Sequence, residues 1–362
     1  MPKRIIFTVT NDLTYDQRMN KICTSLAAHG FDVLLAGFKF PASVPLKEKV
    51  FKQKRLPLFF KKSALFYAET NIRLFFFLLF QKCDIICADD LDTALPVFFA
   101  AKIKRKTRVF DAHELFCEMH DIVRRPRIHK IWKTIEKFCQ PKFLLGYSAN
   151  ADYARTYNRE YNTKYFVVMN SPVLQRAPIN ENKNKRLLLY QGAVNRGRGF
   201  EGLLPALKNM DAKLIVCGKG TFLDEVKASA VKENVANKID FKGYVLPENL
   251  RAYTSEAYIG LNINDNLGAS FYYSLTNRFF DYMHACIPQI ANNNPENKKI
   301  NDRYEIAVLI DDLKPETIAN AINRLLNDEA LYKRLQQNCL QAREVYNWEN
   351  EEKKLIRFYS SL

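Results

Sequence analysis

Short apolar runs alternate with amphipathic helical stretches along almost the whole chain, and this alternation narrows the accessible folds more than any other feature. Residues 4–9 (RIIFTV) form a continuous apolar run, as expected of a strand covered on both faces. Residues 16–29 place Met19, Ile22, Cys23, Leu26 and Ala27 on one helical face, Gly30 stands at a C-cap position, and residues 32–36 (DVLLA) read as the next strand. Such a strand–helix–strand unit implies a parallel sheet with a right-handed crossover. Further strands are expected at 84–88, 107–111, 144–148 and 165–169, with helices at 93–103 and 151–157. The pattern lapses in the polar, proline-bearing stretch 172–185 (PVLQRAPINENKNK). It resumes with strands at 186–190, 213–217, 239–241, 259–262, 289–291 and 307–310, and with helices at 315–327 and 329–346. The expectation is an α/β chain of two Rossmann-like, doubly wound domains, 1–172 and 186–348, joined by a linker at 173–185 and facing a central cleft. Such sheets bind ligands beyond the carboxyl ends of their strands.

The length, 362 residues, suits two domains of roughly 150 residues each. A formal charge of +16 and a pI near 9.4 favour anionic partners: nucleotide phosphates, nucleic acid or an anionic membrane face. The eight cysteines include no CxxC pair and read as small buried residues of a reducing compartment. The opening MPKRIIFTVTNDLTYDQR has neither the apolar core nor the cleavage site of a signal peptide, and the longest apolar run, 74–80 (LFFFLLF), is far shorter than the ~20 residues that cross a bilayer. A cytoplasmic protein is expected. Residues 51–82 alternate basic residues with Phe, Leu and Tyr, the pattern of a membrane-surface element; 72–80 also suits a core helix, while Phe59, Phe60, Lys61 and Lys62 suit lipid headgroups.

Six segments carry candidate chemistry. In 270–292 (SFYYSLTNRFFDYMHACIPQIAN), a polar turn of Ser274, Leu275, Thr276 and Asn277 opens into a helix bearing Arg278 and Asp281. Free N–H groups and the positive dipole end of that helix, with a guanidinium and a carboxylate, suit phosphate and sugar hydroxyls. The turn 191–199 (QGAVNRGRG) offers Gly192, Asn195, Arg196, Gly197 and Arg198 for phosphate, without the spacing of the dinucleotide fingerprint or the P-loop lysine. Gly218 and Lys219 lie in CGKG (217–220), which suits a phosphate, and Tyr244 and Val245 in FKGYV (241–245), where backbone suits a base edge; taken alone, a simple turn is the better reading of either segment. His113 in DAHELF (111–116) ends a strand where α/β proteins place acid–base groups, although in isolation a structural histidine fixed by its neighbours is the better reading. Asp89, Asp90 and Asp92 resemble a metal-binding Asp-x-Asp, but carboxylates at a helix start are favoured by the dipole alone, and no metal is expected. The remaining histidines show no ligand spacing.

In their order and spacing, NDLTYDQR, LAAHGFDV, DAHE, QGAVNRGRG, CGKG, FKGYV, SLTNRFFDYM and the closing YNWE (346–349) resemble the GT-B glycosyltransferases of family 4, in a form seen among bacterial surface-polysaccharide and lipopolysaccharide enzymes. That resemblance spans essentially the whole chain. It implies a nucleoside-diphosphate-sugar donor held mainly by the C-terminal domain, an acceptor held by the N-terminal one, retention of configuration, no metal or cofactor, and a last helix (349–362) that packs back on the N-terminal domain. Of the two donor-loop glutamates usual in the family, Asp281 matches the second and Tyr273 replaces the first; Ala193 stands where an arginine is usual. Phosphate neutralisation then falls to Arg198, Arg278 and Arg196, ribose binding to Asp281, and His113 faces a donor-sugar hydroxyl or steadies the oxocarbenium-like centre. The expected partners are a nucleotide sugar, a glycan or lipid-linked acceptor and the inner face of the cell membrane, and no nucleic acid. A nucleotide-sugar epimerase and a non-enzymatic polyanion binder are the competing readings.

Overall fold

The computed structural model describes residues 2–176, 179, 183–265 and 268–362. Residues 177–178 and 180–182 of the expected linker lie outside them. The chain divides into two units, Met1–Asn170 with Glu351–Leu362, and Ser171–Asn350.

Unit 1 is built on seven parallel strands: β1 (Arg4–Thr8), β2 (Asp32–Phe38), β3 (Lys52–Leu56), β4 (Ile85–Asp89), β5 (Thr107–Ala112), β6 (Gly146–Ser148) and β7 (Phe166–Val167), in the order β3-β2-β1-β4-β5-β6-β7. Ile5, Ile6 and Phe7 are fully buried because helices cover both faces of β1, which is why the strand has no polar alternation. The order reverses between β1 and β4, so the loops after these strands flank a switch point.

Unit 2 has six parallel strands: β8 (Leu187–Gln191), β9 (Lys213–Cys217), β10 (Ile239–Gly243), β11 (Ile259–Asn262), β12 (Gln289–Asn292) and β13 (Ala307–Ile310), in the order β10-β9-β8-β11-β12-β13. Its switch point lies between β8 and β11. Gly260 seats the helix Asn277–His284 against the sheet: a Cβ there would stand 2.5 Å from the Tyr282 ring, whose hydroxyl donates to the Leu189 carbonyl at 2.9 Å.

Three differences from the sequence reading have physical causes. Residues 52–56 (KQKRL) form an edge strand, and its lysines blunt the edge against further pairing. The helix Ser63–Phe80 is longer than the apolar run 74–80, and by length and composition alone it is long and apolar enough to cross a membrane. The helix Pro126–Cys139 was not foreseen, although proline in its first turn and the spacing of Trp132, Glu136 and Cys139 on its buried side mark it. All eight cysteines are buried free thiols. The last helix, Trp348–Ser361, contributes Leu355 and Tyr359, both fully buried, to unit 1, where the Tyr359 ring meets Phe7 at 5.8 Å and Tyr147 at 6.2 Å.

Candidate functional site

The glycine-rich loop after β8 and the loop after β9 are zipped together. Gly192 N–H donates to Cys217 O and Val194 N–H to Lys219 O, both at 3.0 Å. A Cβ on Gly218 would lie 1.8 Å from the Gly192 carbonyl oxygen, and one on Gly220 would lie 2.0 Å from that of Val194. The close approach that these glycines permit is therefore to the neighbouring loop, and it shapes the first loop from behind. Asn195 serves the same end, its Oδ1 accepting from Thr221 N–H at 3.0 Å. Gly192 and Gly197 have φ values of +127° and +82°, which side chains rarely tolerate. Arg196 is exposed and lies over the Phe222 ring at 4.5 Å; Arg198 is half-buried over Phe271 at 4.9 Å. Lys219 is exposed, with its Cε 3.7 Å from where a Gly243 Cβ would be, and Tyr244 follows at 45% exposure. Val245 is half-buried and packs against the apolar cluster that contains Leu189 and Tyr282.

The helix Asn277–His284 reaches the same loop. Arg278 is buried, 5% exposed, and each of its three nitrogens donates to a neutral acceptor: Nε to Asn262 Oδ1 at 2.9 Å, Nη1 to the Tyr190 hydroxyl at 3.0 Å and Nη2 to the Ile263 carbonyl at 3.0 Å. Its guanidinium also covers the Tyr190 ring at 4.8 Å. A Cβ on Gly192 would stand 3.4 Å from Nη1, so the cation lies directly behind the glycine loop. A buried charge paired only with dipoles is poorly compensated, and an anion in front of the loop would relieve that cost. Thr276, the N-cap residue, makes no side-chain cap to the helix; its hydroxyl donates to Asn262 Oδ1 at 2.6 Å, and the positive end of the helix dipole lies at this turn. The Ser274 hydroxyl closes its own turn on the Phe271 carbonyl at 2.8 Å, Leu275 is half-buried and Asn277 is exposed. Asp281 accepts from Gln191 Nε2 at 2.7 Å, and Gln191 Oε1 accepts from Thr254 at 2.9 Å. The segments 191–199, 217–220 and 270–292 thus converge at the switch point of unit 2. Sequence reasoning missed the residues that join them, Tyr190, Gln191 and Asn262; polar side chains ending otherwise apolar strands were the available signal.

In unit 1 the corresponding strand ends hold a different cluster. His113 is held on both sides: Nδ1 is 3.0 Å from Asp89 Oδ1 and Nε2 is 3.1 Å from Asp90 Oδ2. Burial lowers the imidazole pKa, but Asp90 and Asp89 more than reverse this and leave it well above its ordinary value. Burial pushes Asp89 up to about 7, Asp92 up to about 6 and Asp90 well above the carboxylate range, each against the pull of His113. Asp90 has φ of +59°, a left-handed backbone that aims its carboxylate at the imidazole. Behind the cluster Arg18 grips both oxygens of Asp111, at 2.9 and 2.7 Å, and donates to the Val168 carbonyl at 3.0 Å. Ligand atoms of Asp89, Asp111 and His113 lie within 4.8 Å of one another, the spacing of a metal site. Here the Arg18 guanidinium already occupies both Asp111 oxygens, so a cation would have to displace an ion pair. The aspartates 89 and 90 stand between a strand and a helix start, as read from the sequence, and they are also the groups that fix His113.

Comparison with known proteins bears on the fold and on the second unit. Residues 174–341, in the second unit, match the family model described as Glycosyl transferases group 1. No curated protein matches the chain. Among solved structures, the chain is similar to sucrose-phosphate synthase from Thermosynechococcus elongatus (16% identity, TM-score 0.81, 99% of each chain covered). It is also similar to HepE of Anabaena in complex with UDP and glucose (13% identity, TM-score 0.76, 99% of this chain and 100% of that one). A third similar structure is the lipopolysaccharide outer core galactosyltransferase WaaB (12% identity, TM-score 0.66, 99% and 100% covered). The fold is GT-B, with two Rossmann-like α/β units.

Proposed function

We propose that the protein is a retaining glycosyltransferase that moves a sugar from a nucleoside-diphosphate sugar to a glycolipid or polysaccharide acceptor at the cytoplasmic membrane face, without a metal. The observation that carries this reading is the Arg278 guanidinium, buried among neutral acceptors directly behind the Gly192 loop. The family-model match over 174–341 supports it, as does the presence of UDP in the HepE structure. Charge grows on the leaving diphosphate as the sugar–oxygen bond breaks. Arg278 from behind the loop, Arg198 beside it and the positive dipole end of helix Asn277–His284 are pre-set for that charge, which is the task a metal would otherwise perform. Asp281 takes the ribose hydroxyls, oriented by Gln191. Both ring nitrogens of His113 already face carboxylates, so it acts as a fixed imidazolium rather than as a proton acceptor.

Thermal-shift measurement against UDP-, GDP-, CMP- and dTDP-sugars tests the donor assignment. One class is expected to raise the melting temperature, with the shift unchanged by EDTA and lost in Arg198→Ala. No shift with any of them removes the reading. NMR of the product anomeric centre tests retention.

One observation favours a second reading, a nucleotide-sugar epimerase: the raised carboxylates Asp89 and Asp90 beside His113 are groups fit for proton transfer. A putative UDP-N-acetylglucosamine 2-epimerase from Listeria monocytogenes shares the fold at 12% identity. Conversion of the donor to an epimer in the absence of any acceptor would select this reading over transfer.

A further inference from the structure

The helix Ser63–Phe80 is apolar in composition, with Glu69 and Arg73 as its charged residues, yet only 17% of it is buried. Thr70, Leu74 and Leu78 form its inward face, and Leu74 packs with Phe38 and Leu56 of β2 and β3. That packing fixes the helix flat on unit 1. Its other faces leave Leu65, Ile72, Phe76 and Phe80 at 55, 57, 54 and 82% exposure. Beside them Phe59 and Phe60 are 79 and 47% exposed, and they are held there by design of the loop: the Glu69 carboxylate accepts from the backbone N–H groups of Phe59 at 3.0 Å and Phe60 at 2.8 Å. Arg73 donates to Glu69 at 2.7 Å and covers the Phe59 ring at 5.0 Å. Between the loop and the helix opens a groove of about 670 Å³, walled by Leu56, Phe60, Leu65, Ile72 and Phe76. A carboxylate clamp that keeps two phenylalanines pointing at water is hard to account for in a protein with nothing to dock.

We propose that this face seats the protein on an anionic bilayer, with Phe59, Phe60, Ile72 and Phe76 entering the acyl boundary and the groove taking lipid hydrocarbon. Charge selects the occupant. Residues 51–82 hold seven basic side chains and one acidic one, Glu69, which is already engaged by Arg73 and the loop. Lys61, Lys62 and Lys82 are exposed around the apolar patch, where they meet anionic headgroups while the rings enter the layer beneath. A second copy of the chain would bring the same basic rim against itself, and the chain as a whole carries +16. The helix lies on the membrane and does not cross it, because leaving the sheet would expose β2 and β3. This inference deepens the membrane-facing part of the proposed function by giving it a surface, and it rests on that reading only for the acceptor; its test uses no sugar.

The full chain is floated with vesicles of phosphatidylcholine containing 30% phosphatidylglycerol (about that fraction, chosen to give an anionic surface) and with phosphatidylcholine alone. Binding is expected to the anionic vesicles, weakened by salt, and to fall at least about tenfold in Phe59→Ser/Phe60→Ser/Ile72→Ser/Phe76→Ser. All four side chains are solvent-exposed, so the nucleotide-sugar thermal shift of the variant is expected to be unchanged; this separates loss of docking from loss of the donor site. A second variant, Phe59→Trp, is expected to show fluorescence quenching by brominated acyl chains beyond that of the parent protein, and it stands even if the fourfold variant is unstable. Flotation equal to the parent's in the fourfold variant, or no added quenching at position 59, overturns the proposal. A concentration-dependent dimer abolished by the same substitutions overturns it in favour of self-association.

Discussion

Arg278 and His113 show how far a side chain's chemistry depends on what stands around it. Arg278 lies behind the loop it serves, and its role needs the planar fork that reaches Asn262, Tyr190 and Ile263 together. Arg278→Lys keeps the charge and loses the fork; the expected result is a destabilisation of about 1–3 kcal/mol, measured by denaturant titration, with loss of the nucleotide-sugar thermal shift. In unit 1, the Asp92 carboxyl rises from 3.8 to about 6 through burial, so its ionised form is disfavoured in the folded state. A raised folded pKa contributes stability that is present below the unfolded value and lost as pH climbs through the folded one. Asp92→Asn removes the ionisation while keeping an oxygen for Thr10. The variant is therefore expected to match the parent near pH 4 and to exceed it in stability above pH 6 by about 2–3 kcal/mol, read from melting curves across that window. Equal pH slopes for the two proteins would contradict the account of the cluster.

At the scale of elements, the central strands were legible because strands covered on both faces must be apolar throughout, and their sequence says so. The strand β3 was not, because an edge strand of alternating lysines looks like a surface helix or loop until a neighbour pairs with it. The glycine loops were legible as turns, but their partner was not. Gly218 serves the loop at Gly192 rather than a ligand directly, and a Cβ 1.8 Å from a carbonyl oxygen forces backbone to move. Gly218→Ala is expected to destabilise unit 2 by about 1–3 kcal/mol and to weaken nucleotide-sugar binding through displacement of the first loop, measured by thermal shift and by titration of the nucleotide sugar. Normal stability with normal binding would show that the zipped loops tolerate separation.

At the scale of the molecule, the chain leaves unit 1 at Asn170, builds unit 2 and returns at Glu351 to finish unit 1. Tyr359, near the end of the sequence, fills a fully buried place against Phe7, near its start. Tyr359→Ala is expected to cost about 3–5 kcal/mol, as for other large aromatic truncations in a core, and to lower the melting of unit 1. Limited proteolysis of the variant is expected to release an intact fragment of unit 2; resistance equal to the parent's would show that the return is dispensable. The sequence by itself determined the parallel α/β pattern, the two glycine-rich strand ends, the helix start at Thr276 and a strongly basic chain, because each is written in local spacing or composition. Only the tertiary structure decided that Arg278 stands behind the loop, that two aspartates grip His113 and that Glu69 holds two phenylalanines outward. Tyr190 and Arg278 are 88 positions apart, and Gln191 and Asp281 are 90, so no local period encodes their meeting. It follows from where the strand order reverses and brings the ends of β8 and β11 together.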